Sequence, residues 1–200
     1  MFTGIVEATV PLTSIKSQSN ALEVGLSRPP FFDDLKAGDS IACDGVCLTL
    51  ESWDSSTLFF TLGAESLSLL RWTPENLQNR LFHLERSLTF GDRVHGHLVS
   101  GHVDALTTLV ERQSAGDCLL LAFDIPEAHR SQVWRKSSVC ISGVSLTVNE
   151  VREGRAWVCL IPETLRRTHL GHHSVGAHLN LETDYYFKGL LQSQEALSAQ

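Results

Sequence analysis

Apolar and polar residues alternate in short runs along most of the chain. Ala21-Leu-Glu-Val-Gly-Leu26 alternates strictly enough to be read as a half-buried strand. Thr57-Leu-Phe-Phe-Thr-Leu62 and Arg155-Ala-Trp-Val-Cys-Leu-Ile161 are rich in β-formers and end in turn or polar residues. Ala37-Gly38-Asp39, Phe90-Gly91-Asp92 and Val175-Gly176 supply turn chemistry ahead of further strands. Many short strands with regular turns predict an all-β barrel or sandwich, and closing the sheet would remove exposed edges. Helical patterning is confined to short stretches. Ser66–Gln78 is predicted to be helical with a break at Pro74, Glu163–Leu170 follows Pro162 as its counterpart, and Pro126–Val133 is a third. In the tail, Phe187, Leu190, Leu191, Ala196 and Leu197 follow helical spacing with Gln192, Gln194 and Glu195 between them. A helix of about fourteen residues is marginal alone in water, so it needs a surface, either its own barrel or the tails of other chains.

The pattern also repeats. Gly45-Val-Cys-Leu-Thr49 returns as Gly143-Val-Ser-Leu-Thr147, and Glu65-Ser-Leu67 as Glu163-Thr-Leu165, both 98 positions later. Gly4-Ile-Val-Glu7 matches Gly101-His-Val-Asp104, and Leu84-Glu85 matches Leu181-Glu182, at an offset of 97. Collinear matches at nearly one offset divide the chain into homologous halves, 1–94 and 95–186, and a tail, 187–200. Each half is long enough to hold a core of its own.

Composition narrows the function classes. Hydrophobic residues make up 42% and charged residues 20%, an ordinary globular balance. A net charge of −7 leaves no basic footprint for nucleic acid. The longest clean apolar run, Cys118–Phe123, is far short of a membrane helix, and Met1–Glu7 shows no secretory signal. Five scattered cysteines read as reduced cytoplasmic thiols.

Cys47 and Ser145 occupy one position of the repeat, each with a Gly two residues before and a Thr two residues after. Residues two apart share a strand face, so Cys47 with Thr49, and Ser145 with Thr147, are expected to line one surface of each barrel. The Cys-for-Ser difference predicts two similar pockets with different duties. His97 and His102 stand five apart, flanked by Gly96 and Gly101, a spacing that fits neither a strand face nor a helical zinc pair. Histidine suits proton transfer near neutral pH, and the glycines allow close backbone approach. Cys43 and Cys47 have no second cysteine pair to complete a zinc site, and His169, His172 and His173 could offer metal nitrogens but read better as a solvated loop. No metal site is therefore expected, and no dinucleotide or Walker loop is present.

These residues together resemble riboflavin synthase, the two-domain lumazine-binding family. The motifs are Met1-Phe-Thr-Gly-Ile-Val-Glu7, Asp44–Thr49, Gly96-His-Leu-Val-Ser-Gly-His-Val-Asp104, Gly143–Val148, Ile161-Pro-Glu-Thr-Leu165 and Leu179-Asn-Leu-Glu182, and they span nearly the whole chain. The resemblance implies tandem six-stranded Greek-key barrels, each binding one 6,7-dimethyl-8-ribityllumazine, and a C-terminal helix that helps form a homotrimer. The implied reaction is a dismutation: one lumazine gives a four-carbon unit to another, forming riboflavin and 5-amino-6-ribitylamino-uracil. The acidic 7-methyl group and the ring system make a metal or organic cofactor unnecessary. The resemblance also implies a pocket between barrels of neighbouring subunits and an association with lumazine synthase.

By the same resemblance, Cys47, Ser145, His97, His102 and Phe2 are candidate catalytic residues. Thr3, Gly4, Ser40, Thr49, Gly101, Lys136, Thr147, Ile161, Pro162, Glu163, Thr164, Thr168 and Asp184 are candidate substrate contacts. Three departures stand out: Leu70-Arg-Trp-Thr73 replaces the usual Thr-Asn-Leu-Gly, Ser142 stands where the family has Asp, and Ser137 follows Lys136 in place of Gly. The alternative reading is a non-catalytic lumazine- or flavin-binding antenna protein of the same fold. Retention of Cys47, Ser145, His97 and His102 favours the enzyme.

Overall fold

The computed structural model describes residues 1–198; the last two residues of the predicted tail helix lie outside the described residues. The first half contains β1 (Ala8–Gln18), β2 (Ala21–Ser27), β3 (Ser40–Cys43), β4 (Val46–Thr49), β5 (Ser52–Trp53), β6 (Thr57–Gly63), α1 (Ala64–Leu70), α2 (Pro74–Leu77) and β7 (Leu81–Arg86). The second contains β8 (Ala105–Ala115), β9 (Cys118–Asp124), β10 (Ser138–Ile141), β11 (Val144–Arg152), β12 (Arg155–Leu160), α3 (Pro162–Arg167) and β13 (His178–Thr183). A tail helix, α4 (Tyr185–Ser198), closes the chain. It begins two residues before the boundary read from the repeat, because the Asp184 carboxylate accepts from the Phe187 amide and caps its first turn.

The second half is a closed barrel, in the order β10-β11-β12-β9-β8-β13. The first half follows the same path as β4-β3-β7-β1-β2-β6-β5. Its seventh strand has a local cause. β4 and β5 together correspond to the single strand β11, and the chain leaves the ladder at Leu50, where Leu50 N–H donates to Asp39 O. Val148 donates to Ser137 O at the matching position, and the β11–β12 register shifts just after it. The bulge is thus common to both halves and bends the strand round the corner of the barrel.

Each half buries its own apolar interior. Val24, Leu26, Ile41, Phe60 and Leu84 are among those filling the first, and Leu121, Phe123, Ile141, Val158 and Leu181 the second. The predicted helix at Ser66–Gln78 is two short helices. Arg71 adopts φ 52° and Thr73 caps the second in a reciprocal box with Asn76. The stretch at Pro126–Val133 forms a 3-10 turn, Glu127–Gln132. A third, smaller cluster of Phe2, Ala42, Val99 and Cys140, with Cys47 packed against it, joins the two halves.

Candidate active site

The β3–β4 and β10–β11 hairpins turn through Asp44-Gly45 and Ser142-Gly143, all four at positive φ. That is the backbone twist a two-residue hairpin needs. The two turns meet back to back: a Cβ added to Gly45 would lie 2.6 Å from Gly143 N. From these turns, Val46 and Leu48 point into one barrel and Val144 and Leu146 into the other. Alternation then places Cys47 and Thr49, and Ser145 and Thr147, on the outer walls, half-buried and exposed respectively. The predicted shared faces exist, and they face away from the cores.

Two extended arms cover these walls, and they cross. Phe2 and Val99 pair as an antiparallel bridge, with N···O distances of 2.7 and 3.0 Å. Beyond it, the Gly4 carbonyl accepts from Ser145 N–H at 2.8 Å, and the Gly101 carbonyl accepts from Cys47 N–H at 2.8 Å. The first half's arm therefore completes the second half's wall, and the reverse. Both glycines have positive φ, +73° and +82°, and a Cβ on either would sit 2.6 Å from the Cβ of Ser145 or Cys47. Phe2 is fully buried beneath the arms, so its side chain acts there as a wedge between the barrels.

Beside Ser145 lies a cavity of about 310 Å³, bordered by Gly4, Val6, Glu163, Thr164 and Thr168 among others. Pro162 starts α3 and positions Glu163 and Thr164 there, while Ile161, its N-cap residue, is exposed. His97 Nδ1 is 2.7 Å from Ser145 Oγ. Burial lowers the His97 pKa, with the Asp184 carboxylate opposing it, so the imidazole is neutral near pH 7. Its buried Nε2 has no hydrogen-bond partner among the described residues. In the tautomer with Nε2 protonated, Nδ1 accepts the Ser145 hydroxyl proton, which is the geometry of a base beside a nucleophile.

The other predicted residues are dispersed. His102 is exposed and borders a cavity of about 660 Å³ with Asp104, Tyr185 and Lys188. Ser40 pairs with Thr49 across β3–β4 but borders a separate cavity of about 260 Å³ near Arg86. Lys136 is exposed, outside the Ser145 cavity, at φ 73°. It makes the turn that Gly38, φ 92°, makes in the first half. The Thr3 carbonyl accepts from His97 N–H at 3.1 Å, fixing the imidazole's backbone.

In the three-histidine stretch His172 is exposed, as the solvated-loop reading expects, but His169 is a correction to it. His169 is buried and stacks on His83 at 3.6 Å, and its Nε2 lies 3.0 Å from Asp44 Oδ1. Arg80 Nη2 donates to Asp44 Oδ2 at 2.8 Å. Burial would raise the Asp44 carboxyl, but Arg80, His169 and His83 hold it below its ordinary range. Asp44, His83 and His169 present three donor atoms within 4.8 Å. His83 is already engaged at both nitrogens, Nδ1 with Ser142 O at 2.7 Å and Nε2 accepting from His169 N–H at 2.9 Å. Burial lowers His83 to about 3, so it is a neutral, closed member of an inter-barrel network. Sequence patterning missed this joint, whose partners lie 125 residues apart.

The lumazine binding domain matches the chain twice, over residues 3–85 and 100–184. A riboflavin synthase of Chlamydia muridarum is 34% identical over 94% of this chain and 92% of its own length. That of Brucella abortus is 35% identical over 92% and 93%, and that of Escherichia coli 32% over 100% and 94%. The chain belongs to the riboflavin synthase family. A crystal structure of LumP complexed with riboflavin has the same fold, with a TM-score of 0.83 at 20% identity, over 92% of this chain and 99% of that one. The LumP complex with 6,7-dimethyl-8-(1'-D-ribityl) lumazine gives 0.81 at 19% over the same shares.

Two of the three departures from the riboflavin synthase pattern, Ser142 and Leu70–Thr73, have physical accounts. Ser142 Oγ accepts from Asn180 N–H at 3.3 Å, as Asp44 Oδ1 accepts from His83 N–H at 2.9 Å. The joint thus holds one aspartate, matched by Arg80. In the Leu70–Thr73 stretch, Leu70 ends α1 and Arg71–Thr73 form the break before α2, seating Trp72 edge-on against Phe82 at 5.5 Å.

Proposed function

We propose that this chain is a riboflavin synthase, converting two molecules of 6,7-dimethyl-8-ribityllumazine to riboflavin and 5-amino-6-ribitylamino-uracil. The observation that carries this reading is the duplicated wall, Cys47 under Gly101 and Ser145 under Gly4, in a chain that relatives named riboflavin synthase match over nearly its whole length. A dismutation needs two copies of one substrate held against each other, and two related walls supply them. Orientation of two bound reactants contributes on the order of 7–11 kcal/mol of barrier lowering.

The walls are alike in shape and different in chemistry, as the two roles of a dismutation require. On the Ser145 side, neutral His97 takes the hydroxyl proton, activating oxygen attack at one lumazine. On the Cys47 side, His102 follows directly on the arm and assists removal of a 7-methyl proton from the other. Thr49 and Thr147, two residues on along each wall, offer hydroxyls to the polar side chain or ring. The working unit in this reading is a homotrimer: Tyr186, Leu190 and Leu197 of α4 are 63, 66 and 73% exposed, apolar surface that further copies would cover. The same reading places the protein in the cytoplasm, and the five free thiols support this.

The test is incubation of the purified chain with the lumazine. Riboflavin formation supports the enzyme; tight binding without it supports the antenna protein.

A further inference from the structure

Glu85 and Glu182 match each other in the repeat, and Glu182 closes the Leu179–Glu182 motif, but neither is among the candidate site residues; each holds one arm. Glu85 Oε1 accepts from Thr3 N–H at 2.6 Å and Thr3 Oγ1 at 2.8 Å, and Oε2 accepts from Gly4 N–H at 3.0 Å. Glu182 repeats this with Ser100 N–H at 2.7 Å, Ser100 Oγ at 2.7 Å and Gly101 N–H at 3.0 Å. Each hydroxyl then accepts from the amide two residues on, Ile5 or His102, at 3.3 and 3.2 Å. Both carboxylates are buried, 7 and 2% exposed. Two oxygens and no donor suit a carboxylate to three converging donors; a glutamine would turn an NH₂ against one of them.

The roots and the consequences lie in opposite barrels. Glu85 is on β7 of the first, but the arm it holds ends in the Gly4 carbonyl on Ser145 N–H and the Thr3 carbonyl on His97 N–H. Glu182 is on β13 of the second, and its arm ends in the Gly101 carbonyl on Cys47 N–H. We propose that Glu85 and Glu182 are crossed positioning residues: each carboxylate, rooted in one barrel, sets the arm that completes the substrate wall of the other. This rests on reading the Cys47 and Ser145 walls as the substrate sites. A residue that merely stabilised its own barrel would loosen that barrel when replaced. A crossed positioning residue loosens the far wall.

Amide hydrogen exchange by NMR on the full-length protein separates these. Above pH 7, where the Glu85 carboxyl is ionised, Glu85→Gln should cost the Ser145 and His97 amides about tenfold in protection, the equivalent of one hydrogen bond to a charged group, with Cys47 unchanged. In Glu182→Gln the Cys47 amide should lose it and Ser145 should not. Each variant should lower kcat by a similar factor. Loosening confined to the variant's own barrel, or equal loosening of both walls, overturns the proposal. Should the glutamine variants not fold, Thr3→Ala and Ser100→Ala remove one of the three donors each; they should show the same crossed pattern, and Thr3→Ser should restore Ser145 protection. A crossed exchange pattern in a protein that makes no riboflavin would refute the proposed activity and leave the positioning intact. Riboflavin formation with uncrossed exchange would do the opposite.

Discussion

Gly4 and Ser145 stand 141 residues apart in sequence and share a hydrogen bond of 2.8 Å, with no room between them for one added carbon. Gly101 and Cys47 repeat the relationship. This crossing makes the two walls parts of one device, because neither can be finished by its own half.

Gly4→Ala should therefore impair the Ser145 wall. The substitution adds left-handed strain of about 1–2 kcal/mol to a Cβ clash against backbone and Cβ atoms that cannot swing away. We expect kcat/KM to fall by at least about tenfold, with the chain still folded. Steady-state kinetics with circular dichroism checks this.

His97→Gln and Ser145→Ala should each slow turnover by about 100-fold or more, the usual range for lost general-base assistance. The double variant should cost little more than either single one, because the two groups act as one unit across 2.7 Å. Full additivity in a double-mutant cycle would dissolve the pair.

Asp44→Ala should destabilise the protein by about 3–5 kcal/mol, since it leaves Arg80 and the His169 Nε2 without their buried partner. Asp44→Asn, which keeps the shape, should cost less. Urea unfolding of the three proteins gives the comparison directly.

Burial pushes the Glu85 carboxyl up to about 7. The folded state therefore binds this proton more tightly than the unfolded chain, whose glutamate titrates near its usual ~4.3. Stability from this group is full below the unfolded pKa and is lost as pH rises toward 7, by about 1–3 kcal/mol. Glu182 is raised by burial too and acts in the same direction. Glu85→Gln should flatten the decline between those limits, measured as the pH dependence of the unfolding free energy.

Much of the architecture could be read from the chain because the repeat displays it twice. The Gly45–Thr49 and Gly143–Thr147 segments marked equivalent strands, and their alternation put Cys47 and Ser145 on matching faces. Alternation cannot tell which barrel a loop from the other half will cover, so the crossing of the arms was not visible. Glu85 and Glu182 appeared in the repeat only as matching letters; their role depends on where the arms run. The Asp44–His169 contact has no periodic signature at all, and a lone run of histidines reads as solvent-exposed until a buried aspartate is found beside it.

If two related walls serve two copies of one substrate, the products of a complete reaction with 6,7-dimethyl-8-ribityllumazine must stand in a fixed ratio, which chromatography measures. One riboflavin and one 5-amino-6-ribitylamino-uracil should form for every two lumazines consumed, with no added metal or cofactor. Saturable lumazine binding with no riboflavin formed would refute the paired-wall mechanism.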